Sequence, residues 1–222
     1  MLGMLSIKNI KEKNCNNAAI GIGAMIVFIA MVLIAGIAAS VMVQTSTKLE
    51  SQAYSTGSET TSEVATGISV FRIEGYAAPN QDISKIAIIV RPRAGSSDID
   101  FNYVLIEISD TNYKKILTYD SGSFVEDAGD GKDNIFGQSF FPSTQNQFGL
   151  LVLEDADDSC TGPNPIINRG DKVIIGIDTS TVFSSIAEGT DIWGAIVPEF
   201  GSPGSIDFKT PYSYADNIMD LQ

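Results

Sequence analysis

The pattern of hydrophobic and polar positions divides this chain into two unlike parts. After Lys13 no formally charged side chain occurs until Lys48, and within that gap residues 19–43 are almost entirely apolar. At the helical rise of about 1.5 Å per residue such a run spans roughly 38 Å, enough to cross a bilayer. A helix apolar on every face needs apolar surroundings on every face, and lipid or a multi-helix core supplies them equally well. From Gln44 to Gly67 the composition turns to Ser, Thr, Gln and Glu. A thin stripe of Leu49, Ala53, Val64, Ile68 and Phe71 keeps intervals near multiples of about 3.6 residues, so the helix is expected to continue past the apolar block. Gly67 is the expected stop.

Beyond Phe71 the period becomes two. Ile86, Ile88 and Val90 alternate, as do Val104, Ile106 and Ile108. Further strands are predicted over 69–77, 115–119, 148–154, 172–178, 192–198 and 204–209. Turn-rich pieces such as Ala78-Pro79-Asn80 and Gly162-Pro163-Asn164-Pro165 separate them. Seven or eight short strands punctuated in this way predict a sandwich. The fold class is therefore α+β: a long N-terminal helix, apolar in its first half, then an all-β immunoglobulin-like sandwich head. The lone tryptophan, Trp193, is expected in the head's core.

Composition narrows the chemistry. Lys and Arg number 14 against 27 Asp and Glu, a net charge of −13. Such a surface repels nucleic acid, and Arg91-Pro92-Arg93 is too short for a nucleic-acid patch. There is no histidine, which removes Ser-His-Asp and Cys-His catalysis and every His-containing metal site. The two cysteines, Cys15 and Cys160, form no Cys-x-x-Cys pair. Cys160 reads as a lone loop thiol with no base to activate it. Neither a Gly-x-Ser-x-Gly elbow nor a phosphate-binding Walker loop is present. No enzymatic activity and no organic cofactor are implied.

Two acidic runs invite a cation. In Glu126–Asn134, Asp127, Asp130 and Asp133 alternate with glycines that permit tight turns, an arrangement that would suit Ca2+ although it lacks the EF-hand spacing. A solvated turn explains the same residues. The second run, Glu154-Asp155-Ala156-Asp157-Asp158, has fewer glycines.

The apolar block follows Lys8, Lys11 and Lys13. It is too long for the 7–15-residue core of a cleaved secretory signal. It suits a permanent anchor held with the lysines inside. It equally suits a helix that waits in the membrane and is later buried among its own copies. Ala35/Ala39 and Gly36/Ser40 are small-xxx-small pairs that let helix backbones approach closely. Gly21 and Gly23 lower helix propensity at the start of the block.

Gly21-Ile22-Gly23 followed by Met25-Ile26-Val27-Phe28-Ile29-Ala30-Met31-Val32-Leu33-Ile34-Ala35 closely resembles the N-terminus of archaeal flagellins (archaellins), relatives of type IV pilins. Ile196-Val197-Pro198-Glu199-Phe200-Gly201 and Ile206-Asp207-Phe208-Lys209-Thr210-Pro211 resemble the closing strands of the same family. The resemblance implies a leader cut by a membrane prepilin-type peptidase. Alignment places the cut between Ala18 and Ala19. It further implies helices bundled in a filament core, heads facing solvent, and a membrane motor platform that rotates the filament. Three features depart from family patterns. Asn16-Asn17-Ala18 stands where Lys/Arg-Gly is usual. No Asn-x-Ser/Thr sequon for N-glycosylation occurs. Gly23 stands where bacterial pilins carry glutamate, which favours the archaeal family.

The expected domains are a leader over 1–18, a polymerisation helix over 19–67 and a head over 68–222. Loss of the leader's three lysines and one glutamate would leave a mature charge of −15. The expected core-packing residues are Ile20, Ile22, Ile26, Phe28, Ile29, Leu33 and Ile37. Expected partners are further archaellins, the peptidase, the motor platform and, before assembly, the cytoplasmic membrane; the finished filament lies outside the cell. The alternatives are an adhesive pilus subunit, a minor or anchor component of the same machine, and a membrane-tethered domain that never polymerises.

Overall fold

The computed structural model describes residues 2–79, 81–128, 134–214 and 216–222, with side chains from Ile20 onward. The chain divides into two compact units, Met1–Ser58 and Glu59–Gln222. The described residues of the first unit all lie on α1 (Leu2–Ala65). The helix therefore begins upstream of the expected residue 19 and ends two residues before Gly67. Gly67 itself lies in a parallel bridge with Ser202, where an added Cβ would stand 2.9 Å from the Ser202 carbonyl oxygen. Close approach, rather than helix termination, requires glycine there.

The second unit holds eleven strands: β1 (Ile68–Ala77), β2 (Ile83–Pro92), β3 (Ile99–Asp100), β4 (Leu105–Ser109), β5 (Lys114–Val125), β6 (Gln147–Glu154), β7 (Ile166–Ile167), β8 (Lys172–Asp178), β9 (Asp191–Val197), β10 (Gly204–Lys209) and β11 (Ile218–Asp220). Nine form one hydrogen-bonded sheet in the order β10-β9-β4-β5-β6-β8-β2-β1-β11, and β3 and β7 pair separately. The predicted sandwich is thus a single sheet folded over on itself. β5 makes the corner: its first residues pair antiparallel with β4, and Thr118 onward pairs parallel with β6. A parallel pair needs a long connection, and residues 126–146 supply it. The sheet then curls until its ends approach. The backbone N–H of Asp207 on β10 donates to the Gln222 side chain beyond β11 at 3.2 Å, and Gly204 lies against β1 at Ile68 and Val70. The result is a sandwich-like half-barrel.

Its interior is lined by Ile73, Ile86, Ile88, Ile106, Ile108, Leu150, Ile175 and the rings of Phe101 and Phe148. The two layers differ in patterning for a physical reason. β10 alternates strictly between buried and exposed positions, because its outer face meets water. In β6 and β8 five consecutive residues are buried, the signature of strands covered on both faces. The second cover is an aromatic lid from the 126–146 connection. Phe136, Phe140 and Phe141 pack on Ala87, Leu151 and Ile174. The Asn134 side chain accepts the Phe136 N–H and caps the short 3-10 turn Ile135–Gly137. Lys85 donates to the Phe136 carbonyl at 2.7 Å, and its ammonium lies 4.7 Å from the centre of the Phe141 ring.

The lid fits because Gly149 and Gly176 stand opposite each other on β6 and β8. An added Cβ would lie 2.0 Å from the Phe140 carbonyl oxygen at Gly149 and 2.5 Å from the Phe140 ring at Gly176. Trp193 does not join the core as expected; it is 47% exposed. On β9 the inward phase belongs to Ile192 and Ile196, which pair with Phe208 on β10 and Ile106 on β4. The pleat sends Trp193 to the other face.

Overpacking a filled site destabilises, and here the obstacle is backbone as well as ring. Gly149→Ala should lower head stability by about 3 kcal/mol. Gly137→Ala, with nothing within 4 Å of its Cβ, should change it by less than about 0.5 kcal/mol. Thermal unfolding followed by near-UV circular dichroism measures both.

Candidate polymerisation helix and head surfaces

Among the described residues α1 is the one helix long and apolar enough to cross a membrane. No side chain between Ile20 and Val43 is buried within the chain. Ile20, Ile22, Ile26, Phe28, Ile29, Leu33 and Ile37 are all exposed, Phe28 at 69%. Ala18 and Ala19 lie on α1, and their side chains are outside the described set. Where the apolar half gives way to the polar half, Thr45 and Thr47 donate their hydroxyls to the Met42 and Val43 carbonyls at 2.9 and 3.0 Å. Such back-bonding satisfies a hydroxyl within its own helix. A mid-helix glycine costs about 1 kcal/mol relative to alanine. Yet Gly21, Gly23 and Gly36 meet nothing within 4 Å among the described residues. The described residues give no packing reason for them.

At the other end of α1 the chain is clamped into the head. The Thr66 carbonyl accepts the Ser202 N–H at 2.9 Å, and its hydroxyl accepts the Ser97 N–H at 3.2 Å. The Gly67 carbonyl accepts the Arg93 N–H at 2.8 Å. Gly201 takes φ +93°, and a Cβ there would strike the Thr66 carbonyl oxygen. These bonds give the chain one path from the last turn of α1 into β1.

The acidic runs resolve differently. Of the first run, Asp127 is described and Asp130 and Asp133 lie outside the described residues. The second run does converge, with a member that linear spacing missed. Asp155 and Asp157 meet Asp171, one carboxylate oxygen from each lying within 4.8 Å of the others. The Asp155 carboxylate accepts N–H groups from Asp157, Ser159 and Cys160. Asp171 accepts from Asn168 and Ala156. Hydrogen bonds from Ser159 and Asn168 hold Asp157 below the usual carboxylate range, whereas burial pushes Asp171 above it. An all-oxygen anionic set of this kind has the donors a hard cation prefers. The turn at Asn168–Gly170, which returns Asp171 to the loop, could not be read from spacing alone.

Cys160 is buried and unpaired. Burial, with Asp155 and Asp171 nearby, pushes its thiol up to about 12, the opposite of a nucleophile's environment.

These features describe a structural subunit: an apolar helix exposed on every side and a β head with a buried core. The comparisons agree. The family model for archaeal-type flagellin matches residues 18–208. The chain belongs to the archaeal-type flagellin family. It is 40% identical over 208 residues to Flagellin B3 of Methanocaldococcus jannaschii, covering 92% of this chain and 95% of that one. It is 37% identical to Flagellin B3 of Thermococcus kodakarensis, covering 92% and 97%. The crystal structure of archaeal flagellin FlaB1 from M. jannaschii superposes with TM-score 0.64 at 29% identity, over 71% of this chain and 98% of that one. A structure of the archaeal flagellum of Methanospirillum hungatei shares the fold, with TM-score 0.61 at 17% identity over 90% and 98%. This flagellin is a structural subunit of the archaeal flagellum, in a family of filament subunits rather than enzymes.

The thiol gives two checks. Cys160 in the folded chain should resist iodoacetamide at pH 8 and react once the chain is denatured; mass spectrometry of the peptide that carries it counts the adducts. The unfolded thiol loses its proton near pH 9, whereas the folded one keeps it until about 12. Deprotonation therefore favours unfolding across that window. Between pH 9 and 11 the wild-type melting temperature should fall more steeply than that of Cys160→Val; parallel curves would contradict the assignment.

Proposed function

We propose that this flagellin is made as a membrane-held precursor, cut between Ala18 and Ala19 by a prepilin-type peptidase, and polymerised through α1 into a filament turned for swimming. The observation that carries this reading is the all-round exposure of residues 20–43 in a chain whose head is otherwise well buried. Such a surface has no stable place in water. Lipid covers it before assembly, with Lys8, Lys11 and Lys13 on the cytoplasmic side. Neighbouring helices cover it afterwards, with Ile20, Ile22, Ile26, Phe28, Ile29, Leu33 and Ile37 in the core.

Transfer from lipid to bundle yields little hydrophobic energy, because both surroundings are apolar. Close backbone approach and dispersion contacts must supply the preference. Gly21, Gly23 and Gly36, unexplained by their own chain, fit that demand. The extracellular filament and its membrane motor platform complete the reading.

Two measurements test it. The N-terminus of filament protein should be Ala19 by mass spectrometry; a retained Met1 favours a permanent tether. Phe28→Asp should abolish filaments while leaving the head's melting temperature unchanged, since a carboxylate at the centre of an apolar helix costs about 3 kcal/mol per subunit. Gly36→Leu improves intrinsic helix propensity by about 0.8 kcal/mol, yet should also prevent assembly. Normal filaments from both variants would contradict burial of this surface.

A further inference from the structure

A chain carrying −13 charges must stack many copies without mutual repulsion, and its cations are few. Several of them gather in one place. Among the described residues, Arg91, Arg93, Arg169 and Lys172 line an open hollow of about 450 Å³ together with two carboxylates, Glu154 and Asp171. Lys172 pairs with Glu154 at 2.7 Å. Among the described residues the three arginines form no ion pair, and all three are exposed. The Arg91 guanidinium lies 5.7 Å from the centre of the Phe71 ring, so one wall already shows arginine–aromatic contact.

The matching surface lies elsewhere on the same head. Glu199 and Phe200 are both exposed, Phe200 at 64%. They are held out by buried Pro198 on one side and by Gly201–Ser202, clamped to Thr66, on the other. Asp98 and Asp100 lie beside them in the same concavity. A rigid tip offering a carboxylate and an aromatic ring is what a cluster of free guanidinium groups recognises, by ion pairing and by stacking. Both surfaces flank the same joint. Arg93 bonds Gly67, and the tip's Ser202 bonds Thr66. They therefore lie at one level of the head.

We infer that in the filament the Glu199–Phe200 tip of one subunit docks in the Arg91–Arg93–Arg169 hollow of a neighbouring copy. The inference rests on the filament assignment. The contact is heterologous, joining two different patches, which is the kind that propagates a helical polymer instead of closing a dimer. It converts the repulsion between acidic heads into attraction at one point and sets their register. An anionic membrane surface is the other natural anion, but the strongly negative chain as a whole is repelled from it.

The test is cross-linking in assembled filaments. Arg93→Cys combined with Glu199→Cys should give a ladder of disulfide-linked multimers on non-reducing gels. Neither single variant should give it, nor should detergent-dispersed subunits. Arg93→Glu should raise the critical concentration for assembly about tenfold, and adding Glu199→Arg to that variant should restore it. Filaments that assemble from the double-cysteine chain without a ladder, with Arg93→Glu behaving as wild type, overturn the contact while leaving polymerisation intact. Absence of filaments from the wild-type chain would instead fail the filament assignment. If Arg91→Glu/Arg93→Glu abolishes binding to phosphatidylglycerol vesicles without changing filaments, the hollow serves the membrane and the contact is overturned.

Discussion

The constraint on which this molecule depends is the need to cover a helix that is apolar all round. From Ile20 to Val43 the chain presents greasy side chains in every direction and buries none of them itself. The exposed apolar surface of α1 can be satisfied only by lipid or by other copies, so the chain's lowest-energy state in water is a collective one. In the proposed assembly route the same surface would serve both stages, retention in a membrane and then release into a bundle with little change in hydrophobic energy. Small residues bias the second environment, because they permit contacts that lipid tails cannot match.

The head answers the opposite requirement. It must stay folded as an outward surface, so the sheet closes on an isoleucine-rich interior and covers the outer face of β2, β6 and β8 with an aromatic lid. That lid rests on a glycine pair across β6 and β8, where the absence of two side chains makes room for Phe140. Burial also disposes of the one cysteine in the head, whose thiol is kept protonated and out of reach. The acidic surface keeps heads apart, and the cationic hollow beside the α1–β1 joint is the counterweight where heads must meet.

Much of this was legible in the residues. The charge-free run from residue 14 to residue 47 announced the helix, and the strands predicted over 172–178 and 204–209 match β8 and β10 at their observed bounds. What escaped depended on register. β9 reads Asp-Ile-Trp-Gly-Ala-Ile-Val, apolar in both phases, so alternation alone could not say which side chains face inward; pairing with Ile106 and Phe208 decides for Ile192 and Ile196 and sends Trp193 outward. The Phe136–Phe141 lid sits in a stretch for which the pattern predicted no element, and Gly149 and Gly176 acquire meaning only once they are known to face each other. Asp171 joins Asp155 and Asp157 through a reversal of the chain that no linear spacing encodes. Arg91, Arg93 and Arg169 likewise become one surface only when β2 and the turn before β8 are brought side by side. The intermolecular burial proposed for Ile20 through Ile37 belongs to a different category, since it would be a property of many chains.

The most direct test of the central claim is a helical reconstruction of the native filament at a resolution that shows side chains. The account predicts that residues 20–43 of each subunit touch only the α1 helices of other subunits, with Gly21, Gly23 and Gly36 at the closest backbone approaches and the β heads outside. A filament in which this segment is missing or faces solvent, or a native chain found singly in the cytoplasmic membrane with the segment surrounded by lipid, would contradict it.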